Sequence, residues 1–253
     1  MAMFTGKVAL VTGGSAGIGR ATAVAFAREG AKVVVASRRV KEGDETVHLI
    51  REAGSDGFFI KTDVAKASEV KTMVEKTVAT YGRLDYAFNN AGVIEPKPGP
   101  LVEQTEETFD QIVNVNIKGV WLSMKYEIPE MLKRGGGAIV NMSSVAGVIG
   151  FPEIAIYVAS KHAVIGLTKA AALEYSKSGV RINAVNPGAI ETDMLSHVAG
   201  GNPEAMSQMG AHHPIGRIGK PEEIAEAVIW LCSDKASFVT GHSLLVDGGL
   251  TIQ

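Results

Sequence analysis

The sequence predicts a single α/β domain built on a doubly wound sheet of about seven parallel strands, with helices on both faces. Short β-branched segments alternate with longer segments of helical spacing, and no long linker interrupts the series. The strand segments are nearly continuous in apolar residues, which is typical of parallel strands that are covered on both faces. A chain of 253 residues is long enough for one large domain of this kind.

Seven strands are predicted from runs rich in Val, Ile, Leu and Phe. In chain order these runs are VALVT, KVVVAS, GFFIKTD, LDYAFNN, GAIVNMS, VRINAVNPG and HSLLVDGG. Six helices are predicted between the strands from apolar residues at helical spacing. They cover residues 18–29, 41–53, 68–81, 109–134, 156–176 and 221–233.

Residues 189–219 do not follow this alternation, because the segment is too long for an ordinary connection and is rich in Met, His and Gly. Long loops of compact domains are commonly functional, so this segment is predicted to be a substrate-binding lid. ETDMLSHV and PEAMSQM predict two short helices, joined by the flexible AGGN. The apolar side chains of the lid would either contact substrate or pack the loop onto the domain. These residues are Met194, Leu195, Val198, Met206 and Met209.

The composition argues against several classes of partner. A net charge of −2 provides no excess of positive charge that would favour binding to nucleic acid or to an anionic membrane. No apolar run approaches the ~20 residues that span a bilayer, and we expect no signal peptide. The single cysteine, Cys232, lies in an apolar helical pattern and is expected to be a buried structural thiol. These observations predict a cytoplasmic protein.

Four glycines lie within the eight residues TGGSAGIG, directly after the first predicted strand. At the start of a helix, free backbone N–H groups and the helix dipole both favour a bound phosphate. Gly13 permits the turn, Gly17 lets the backbone approach a pyrophosphate, and Gly19 allows close packing of helix against sheet. The loop therefore predicts a dinucleotide site, to which Ser15 and Ile18 also belong.

The spacing of these glycines resembles the TGxxxGxG fingerprint of the short-chain dehydrogenase/reductase family. NNAG, VNIKG, NMSSV, YVASK, NPGAIET and VDGG resemble further motifs of that family in the same order, so the resemblance covers essentially the whole chain. It implies one NAD(P)-binding, Rossmann-type domain over residues 1–253 and an oxidoreductase that interconverts a secondary alcohol and a ketone. It also implies a homotetramer, formed through the helices at 109–134 and 156–176 and the last strand.

The same resemblance implies a catalytic tetrad of Asn116, Ser144, Tyr157 and Lys161. Ser144 would polarise the substrate oxygen and Tyr157 would exchange its proton. Asn116 would hold a water of a proton relay, and Lys161 would bond the nicotinamide ribose. Ser144 is preferred to Ser143 because it precedes Tyr157 by the 13 residues usual in the family.

The spacing of Tyr157 and Lys161 supports this assignment independently, since residues four apart share one face of a helix. A nearby ammonium favours the phenolate, so Lys161 is predicted to lower the pKa of Tyr157 toward the operating pH. Taken singly, a Tyr/Lys pair on a helix is more often part of an exposed face, and a serine at a strand end is more often a turn former. An asparagine is more often a buried amide that satisfies backbone groups. Their joint presence at the family's spacing favours catalysis.

The cofactor is predicted to be NADP(H). NAD-binding members of the family carry an acidic residue at the end of the second strand, where this chain has Ser37 followed by Arg38 and Arg39. No carboxylate would repel a 2′-phosphate there, and a guanidinium matches phosphate geometry well. NAD(H) stays the alternative, in which both arginines are solvated loop charges.

The resemblance implies further cofactor contacts along the edge of the sheet. These residues are Asp63, Val64, Asn90, Ala91, Gly92, Tyr157, Lys161, Pro187, Gly188, Ile190 and Thr192. Asp63 has the alternative of an Asx turn or a helix cap, which are commoner uses of such an aspartate.

No metal site is predicted. The adjacent His212 and His213 lack zinc-site spacing, and His197 and His242 are isolated. The ending resembles that of alcohol dehydrogenases of the family whose terminal glutamine helps hold a structural magnesium, so Gln253 is a candidate for that role.

Three other functions stay open. A 3-oxoacyl-carrier-protein reductase and a sugar (glucose-type) dehydrogenase would use the same chemistry on other small-molecule substrates. A nucleotide-sensing protein without catalysis would be expected to lack Ser144, Tyr157 or Lys161, so their presence argues against it. Substrate identity does not follow from the sequence, since pocket loops vary on a shared scaffold.

Overall fold

The computed structural model describes residues 2–252 and contains an all-parallel sheet of seven strands. The strands are β1 Val8–Thr12, β2 Lys32–Ser37, β3 Gly57–Lys61, β4 Tyr86–Asn89, β5 Gly137–Met142, β6 Val180–Pro187 and β7 Ser243–Val246. Each strand lies within a run predicted from the sequence. In the central strands the apolar side chains are buried on both faces, which is why these runs show no alternation with polar residues.

The order of the strands is β3-β2-β1-β4-β5-β6-β7, so the direction of winding reverses between β1 and β4. The register sets Thr12, at the end of β1, beside Asn89 at the end of β4. In open α/β sheets, ligands bind outside the carboxyl ends of the strands at such a reversal. The topology therefore predicts a ligand site at the loops that follow these two strands.

Nine α-helices lie within residues 2–252. They are α1 Gly17–Arg28, α2 Val40–Glu52, α3 Ala67–Tyr81, α4 Glu106–Ile112, α5 Gly119–Leu132, α6 Ala155–Tyr175, α7 Asp193–Val198, α8 Pro203–Ala211 and α9 Pro221–Cys232. Two apolar clusters divide these helices between the two faces of the sheet. The fully buried residues that mark them are Phe26 (α1), Ile50 (α2) and Val228 (α9) on one face, and Met73 (α3), Met131 (α5) and Val164 (α6) on the other. The chain thus forms one three-layered α/β domain.

The prediction of a helix over 109–134 is confirmed, with a different start and a π-helical interruption. The first helix of this region begins at Glu106, capped by the Thr105 hydroxyl, which accepts from Thr108 N at 3.2 Å. A π-helical segment, Val113–Lys118, then separates α4 from α5. Apolar spacing does not reveal a π turn, because the added residue leaves the buried face nearly continuous. Such turns are frequent at functional sites, and this one carries Asn116.

The predicted lid does form two short helices. Between α7 and α8, Gly200 and Gly201 adopt φ values of 61° and 68°, which favour glycine. At the base of the lid Gly219 N donates to Ala189 O, and Glu191 N donates to Gly219 O, both at 2.9 Å. The segment therefore leaves and re-enters the domain at one point. None of the helices within residues 2–252 has the length and apolar character needed to cross a bilayer.

Candidate active site

A cavity of about 680 Å³ opens at the carboxyl ends of the strands, around the reversal between β1 and β4. Its wall contains every residue that the sequence assigned to the cofactor, from Gly13 to Thr192. Ser144, Tyr157 and Lys161 line the same cavity, whereas Asn116 is absent from the wall. The fold thus brings the predicted cofactor and catalytic groups to one enclosed space.

Close backbone contacts shape the glycine loop. A Cβ on Gly19 would lie 2.4 Å from Gly13 O, and a Cβ on Gly13 would lie 2.9 Å from Ala91 Cα. Asn90 Nδ2 supports the loop from the β4 side by donating to Thr12 O at 3.0 Å and Gly13 O at 3.2 Å. No side chain caps the start of α1. Its first N–H groups are therefore available to an anion.

Tyr157 and Lys161 lie one turn apart on α6, with Lys161 Nζ 5.3 Å from the centroid of the Tyr157 ring. Lys161 Nζ donates to Met142 O at 3.0 Å. Ser144 lines the cavity with Tyr157 and lowers the pKa of the Tyr157 hydroxyl, and its own hydroxyl accepts from Ala146 N at 3.1 Å. Ser143 instead donates to Lys161 O at 3.0 Å. Of the two serines, Ser144 is the one that acts on the Tyr157 hydroxyl.

Asn116 lies behind the cavity wall and is 1% exposed. Its Oδ1 accepts from Val93 N at 2.9 Å, and its Nδ2 donates to Val93 O at 2.8 Å and to Ser160 Oγ at 2.9 Å. Ser160 Oγ in turn donates to Tyr157 O at 2.7 Å. The Asn116 side chain therefore ties the loop after β4 to helix α6. Its water in a proton relay stays a prediction.

Comparisons with known proteins agree with this geometry. A family model described as enoyl-(acyl carrier protein) reductase matches residues 13–251. A 2,5-dichloro-2,5-cyclohexadiene-1,4-diol dehydrogenase of Sphingobium indicum is 44% identical over 253 residues, covering 99% of this chain and 99% of the relative. A cyclohexanol dehydrogenase of an Acinetobacter species is 44% identical, covering 98% and 96%. The crystal structure of levodione reductase superposes with a TM-score of 0.94 at 37% identity, covering 97% and 98%. The chain belongs to the short-chain dehydrogenase/reductase family.

Burial controls the charges of the two central residues of this short-chain dehydrogenase/reductase. Lys161 is 3% exposed, and the loss of water lowers the pKa of its ammonium to about 8. Tyr157 is partly accessible from the cavity, yet desolvation raises its pKa to about 12. Ser144 lowers that pKa and the Glu95 carboxylate raises it. The net direction is thus opposite to the one predicted from the neighbouring Lys161, because desolvation of the hydroxyl is the largest contribution.

A nicotinamide dinucleotide fits the residues present. The glycine loop and the uncapped start of α1 form a cradle that added Cβ atoms would fill. On the lid side, a Cβ on Gly17 would lie 3.0 Å from Thr192 Cγ2, so a side chain there would close the cradle. Asp63 lines the cavity and also forms the Asx turn considered as its alternative, since its Oδ1 accepts from Ala65 N at 3.1 Å.

The lid forms much of the rest of the wall. Four of its five predicted apolar residues line the cavity, namely Met194, Leu195, Val198 and Met209, whereas Met206 does not. Sequence reasoning missed the apolar residues that come from the opposite side of the cavity. These are Ile94, Phe151, Ile154 and Leu250. The first three lie outside the helices and strands and Leu250 lies in a short 3-10 helix, so no periodicity marks them as pocket residues.

His213 is a further residue whose role sequence reasoning missed. It is 4% exposed, and its Nδ1 lies 2.9 Å from Met209 O while its Nε2 accepts from Ala189 N at 3.1 Å. These partners assign a neutral ring with the proton on Nδ1. His213 therefore joins the end of α8 to the loop after β6 and anchors the lid.

Two sequence expectations concern metals and the thiol. Within the described part of the chain, no group of three or more His, Cys, Asp or Glu residues could hold a metal ion. Gln253, the candidate for a magnesium site, lies outside the described residues. Cys232 is buried, and burial raises the pKa of its thiol to about 12, as expected for a structural thiol.

Proposed function

We propose that this protein is an NADP-dependent oxidoreductase that interconverts a secondary alcohol and a ketone. The observation that supports this most strongly is that Ser144 and Tyr157 share one cavity wall, with Lys161 one helical turn from Tyr157. Two hydroxyls that converge on one space suit a carbonyl oxygen, which accepts hydrogen bonds from both. The relatives named for a cyclohexanol and a cyclohexadienediol support the same reaction class.

In the direction of reduction, Tyr157 would donate its proton to the carbonyl oxygen while Ser144 holds that oxygen in place. The raised pKa of Tyr157 keeps the hydroxyl protonated at neutral pH, as an acid requires. Lys161 would stabilise the phenolate left behind, and Asn116 would keep α6 in register with the loop after β4. The bound cofactor supplies or accepts the hydride. In oxidation the proton moves in the opposite direction.

The choice of NADP(H) is supported by the end of β2. Ser37 stands where an acidic residue would exclude a 2′-phosphate, and Ser37, Arg38 and Arg39 all line the cavity. The neighbouring Arg39 lies 3.7 Å from Glu42 and 3.9 Å from Asp193. Arg38 is therefore the arginine that we assign to the phosphate. The remaining predicted residues, from the glycine loop to Thr192, would hold the dinucleotide.

An apolar substrate is supported by the composition of the substrate side. The lid residues Met194, Leu195 and Val198 face the same cavity as Phe151 and Ile154. A polar sugar would leave these side chains without apolar contacts, whereas a ring ketone would bury apolar surface against them. Acyl thioesters and sugars are the competing substrates that a panel must include.

The test is NADPH oxidation on a panel of ring ketones, quinones, sugars and acyl thioesters. On the best substrate, Tyr157→Phe should reduce turnover by at least ~100-fold, because it removes the proton donor and keeps the ring. NADPH binding should survive, and Tyr126→Phe on α5 serves as a matched control with normal turnover. Near-normal turnover of the Tyr157→Phe variant would show that the mechanism is wrong.

A homotetramer is also proposed. Helix α5 exposes 45% of Trp121, α6 exposes 86% of Leu173, and β7 exposes 39% of Leu245. Apolar side chains on the predicted contact elements support burial between copies. Sedimentation at several protein concentrations tests this, and a monomer throughout would contradict it. The cytoplasmic location stays a prediction from the sequence.

A further inference from the structure

Helix α6 is capped by a residue from another part of the chain. Its N-cap residue, Ile154, offers no side-chain hydrogen bond. Instead, Glu95 Oε1 accepts from Ile156 N and from Tyr157 N, both at 3.0 Å. The first N–H groups of a helix have no partner within the helix, and a carboxylate there is also favoured by the helix dipole. The loop after β4 thus fixes the turn that carries Tyr157.

The second oxygen of Glu95 is unusual. The residue is fully buried, and Oε2 has no hydrogen-bond partner within residues 2–252. Burying a charged oxygen without a partner is costly, and one neutral oxygen would suffice for the cap. At this position, however, two donated N–H groups and the dipole of α6 both favour a negative charge on Glu95.

The loop that carries Glu95 is held on both sides. Val93 is bonded twice to Asn116, and Pro96 O lies 3.1 Å from His197 Nε2 on the lid helix α7. Further along, Gly99 N donates to Glu153 O at 3.0 Å, just before α6. These contacts keep the Glu95 carboxylate at a fixed distance from the Tyr157 ring.

We propose that Glu95 is a positioning residue of the active site: its carboxylate fixes the first turn of α6 and, as a buried anion behind Tyr157, keeps the proton on the Tyr157 hydroxyl. This inference rests on the proposed function for its catalytic consequence. It is carried by the two hydrogen bonds to the backbone of α6 and by the buried, unpartnered Oε2.

Three elements bring polar or charged groups against Tyr157. Lys161 comes from the same helix, Ser144 comes from the end of β5, and Glu95 comes from the loop after β4. On the lid side, His212 and His213 line the same cavity. Lys161 favours the phenolate, whereas Glu95 opposes it and raises the pKa of Tyr157. Without Glu95, the balance shifts toward the phenolate.

The variant Glu95→Gln separates charge from capping, because the amide oxygen still accepts the two backbone hydrogen bonds. We expect the midpoint of the pH profile for alcohol oxidation to fall by about 0.5–1 unit, since a like charge is removed. At pH values below that midpoint, turnover should rise about three- to tenfold, because the rate there follows the fraction of phenolate. A neutral cap without electrostatic function would leave the midpoint unchanged.

A second readout needs neither cofactor nor substrate. The ultraviolet absorbance of the phenolate is titrated in the cofactor-free protein, and Tyr157→Phe in each background isolates the signal of Tyr157. The matched control is Glu153→Gln, which removes an exposed carboxylate from the same entrance to α6 and should leave the midpoint in place. An unchanged or raised midpoint in Glu95→Gln overturns the proposal.

The variant Glu95→Asp tests whether the carboxylate positions the first turn of α6. It also replaces Glu95→Gln as the test if that variant does not fold. It keeps the charge but shortens its reach, so turnover should fall about tenfold while the midpoint stays near that of the wild type. An Asp variant with full turnover overturns the positioning role. If the wild type reduces no carbonyl compound of the panel, the proposed function fails, while the phenolate titration still decides the effect of Glu95.

Discussion

At the scale of single residues, the proposed preference for NADP(H) rests on Ser37 and Arg38. We expect Ser37→Asp combined with Arg38→Ile to move the preference from NADPH toward NADH. The new carboxylate would bond the ribose hydroxyls and repel the 2′-phosphate, and a charge-assisted contact would be lost. The ratio of the two dissociation constants, measured by fluorescence titration, should change by roughly 100-fold.

A matched control for this variant is Arg39→Ile. Because Arg39 already pairs with Glu42 and Asp193, its loss should change the cofactor ratio much less than the loss of Arg38. Titration of the wild type is the simplest check. If the wild type bound NADH more tightly than NADPH, the assignment of Ser37 and Arg38 would be refuted.

Single residues also show where sequence reasoning ends. Motif spacing identified residues of which all but Asn116 line one cavity, because most of them follow strands at the same edge of the sheet and α6 brings Tyr157 and Lys161 to that edge. It did not predict the direction of the Tyr157 pKa. A spacing of four residues sets the distance between Tyr157 and Lys161. The loss of water from the Tyr157 hydroxyl, which raises its pKa, depends instead on every element packed around it. Glu95 was missed for the same reason, since no local pattern relates it to a helix that starts 60 residues later.

At the scale of elements, helix α5 carries a carboxylate into the core between the sheet and its helices. Glu127 is fully buried, and its Oε2 accepts from Asn89 Nδ2 at 3.1 Å. The same amide donates to Asn141 Oδ1 at 3.0 Å, and Asn141 Nδ2 donates to Thr168 Oγ1 at 3.0 Å. This network joins β4, β5, α5 and α6. Burial raises the pKa of Glu127 to about 8.

The sign of the resulting pH dependence follows from linkage. The ordinary pKa of the carboxyl is 4.5, so between pH 4.5 and 8 the folded protein binds more protons than the unfolded chain. Stability from this group is therefore present below pH 4.5 and is lost as the pH rises toward 8. We expect Glu127→Gln to be more stable than the wild type by on the order of 3 kcal/mol at the upper end of this window.

Urea unfolding near both ends of the window measures this difference. The advantage of Glu127→Gln should vanish at the acidic end, where the wild-type carboxyl is protonated in both states. Glu130→Gln, on the same helix but paired at the surface with Lys133, should differ little from the wild type at either pH. A Glu127→Gln variant that gains no stability at the alkaline end would refute the buried neutral carboxyl.

Elements differed in how well the sequence predicted them. The strands were predicted closely because each is a short apolar run and most are followed within two residues by Gly, Asn or Asp. The helix over 109–134 was not, since a π segment and an N-terminal cap change the backbone without changing the apolar pattern. The two short lid helices were predicted because Thr192 and Asn202 are good caps and glycines separate them.

At the scale of the whole molecule, the lid reaches across the cavity. Asp193, at the start of α7, lies 3.9 Å from Arg39 in the connection between β2 and α2. His197 contacts the loop after β4, and His213 anchors the far end of the lid to the loop after β6. The lid therefore touches elements on both sides of the reversal in the sheet. A ligand that binds there would meet the lid and the domain together.

We expect NADPH to order this lid, because a bound dinucleotide would fill the space between the glycine loop and Thr192 and hold α7 against the domain. Hydrogen exchange of peptides within 192–212 should slow on adding NADPH, with Gly200 and Gly201 as the hinge. The base of the lid should change little, because Gly219 is already bonded to Ala189 and Glu191. Peptides from α9 provide an internal reference. Equal exchange across 192–212 with and without NADPH would rule out a cofactor-ordered lid.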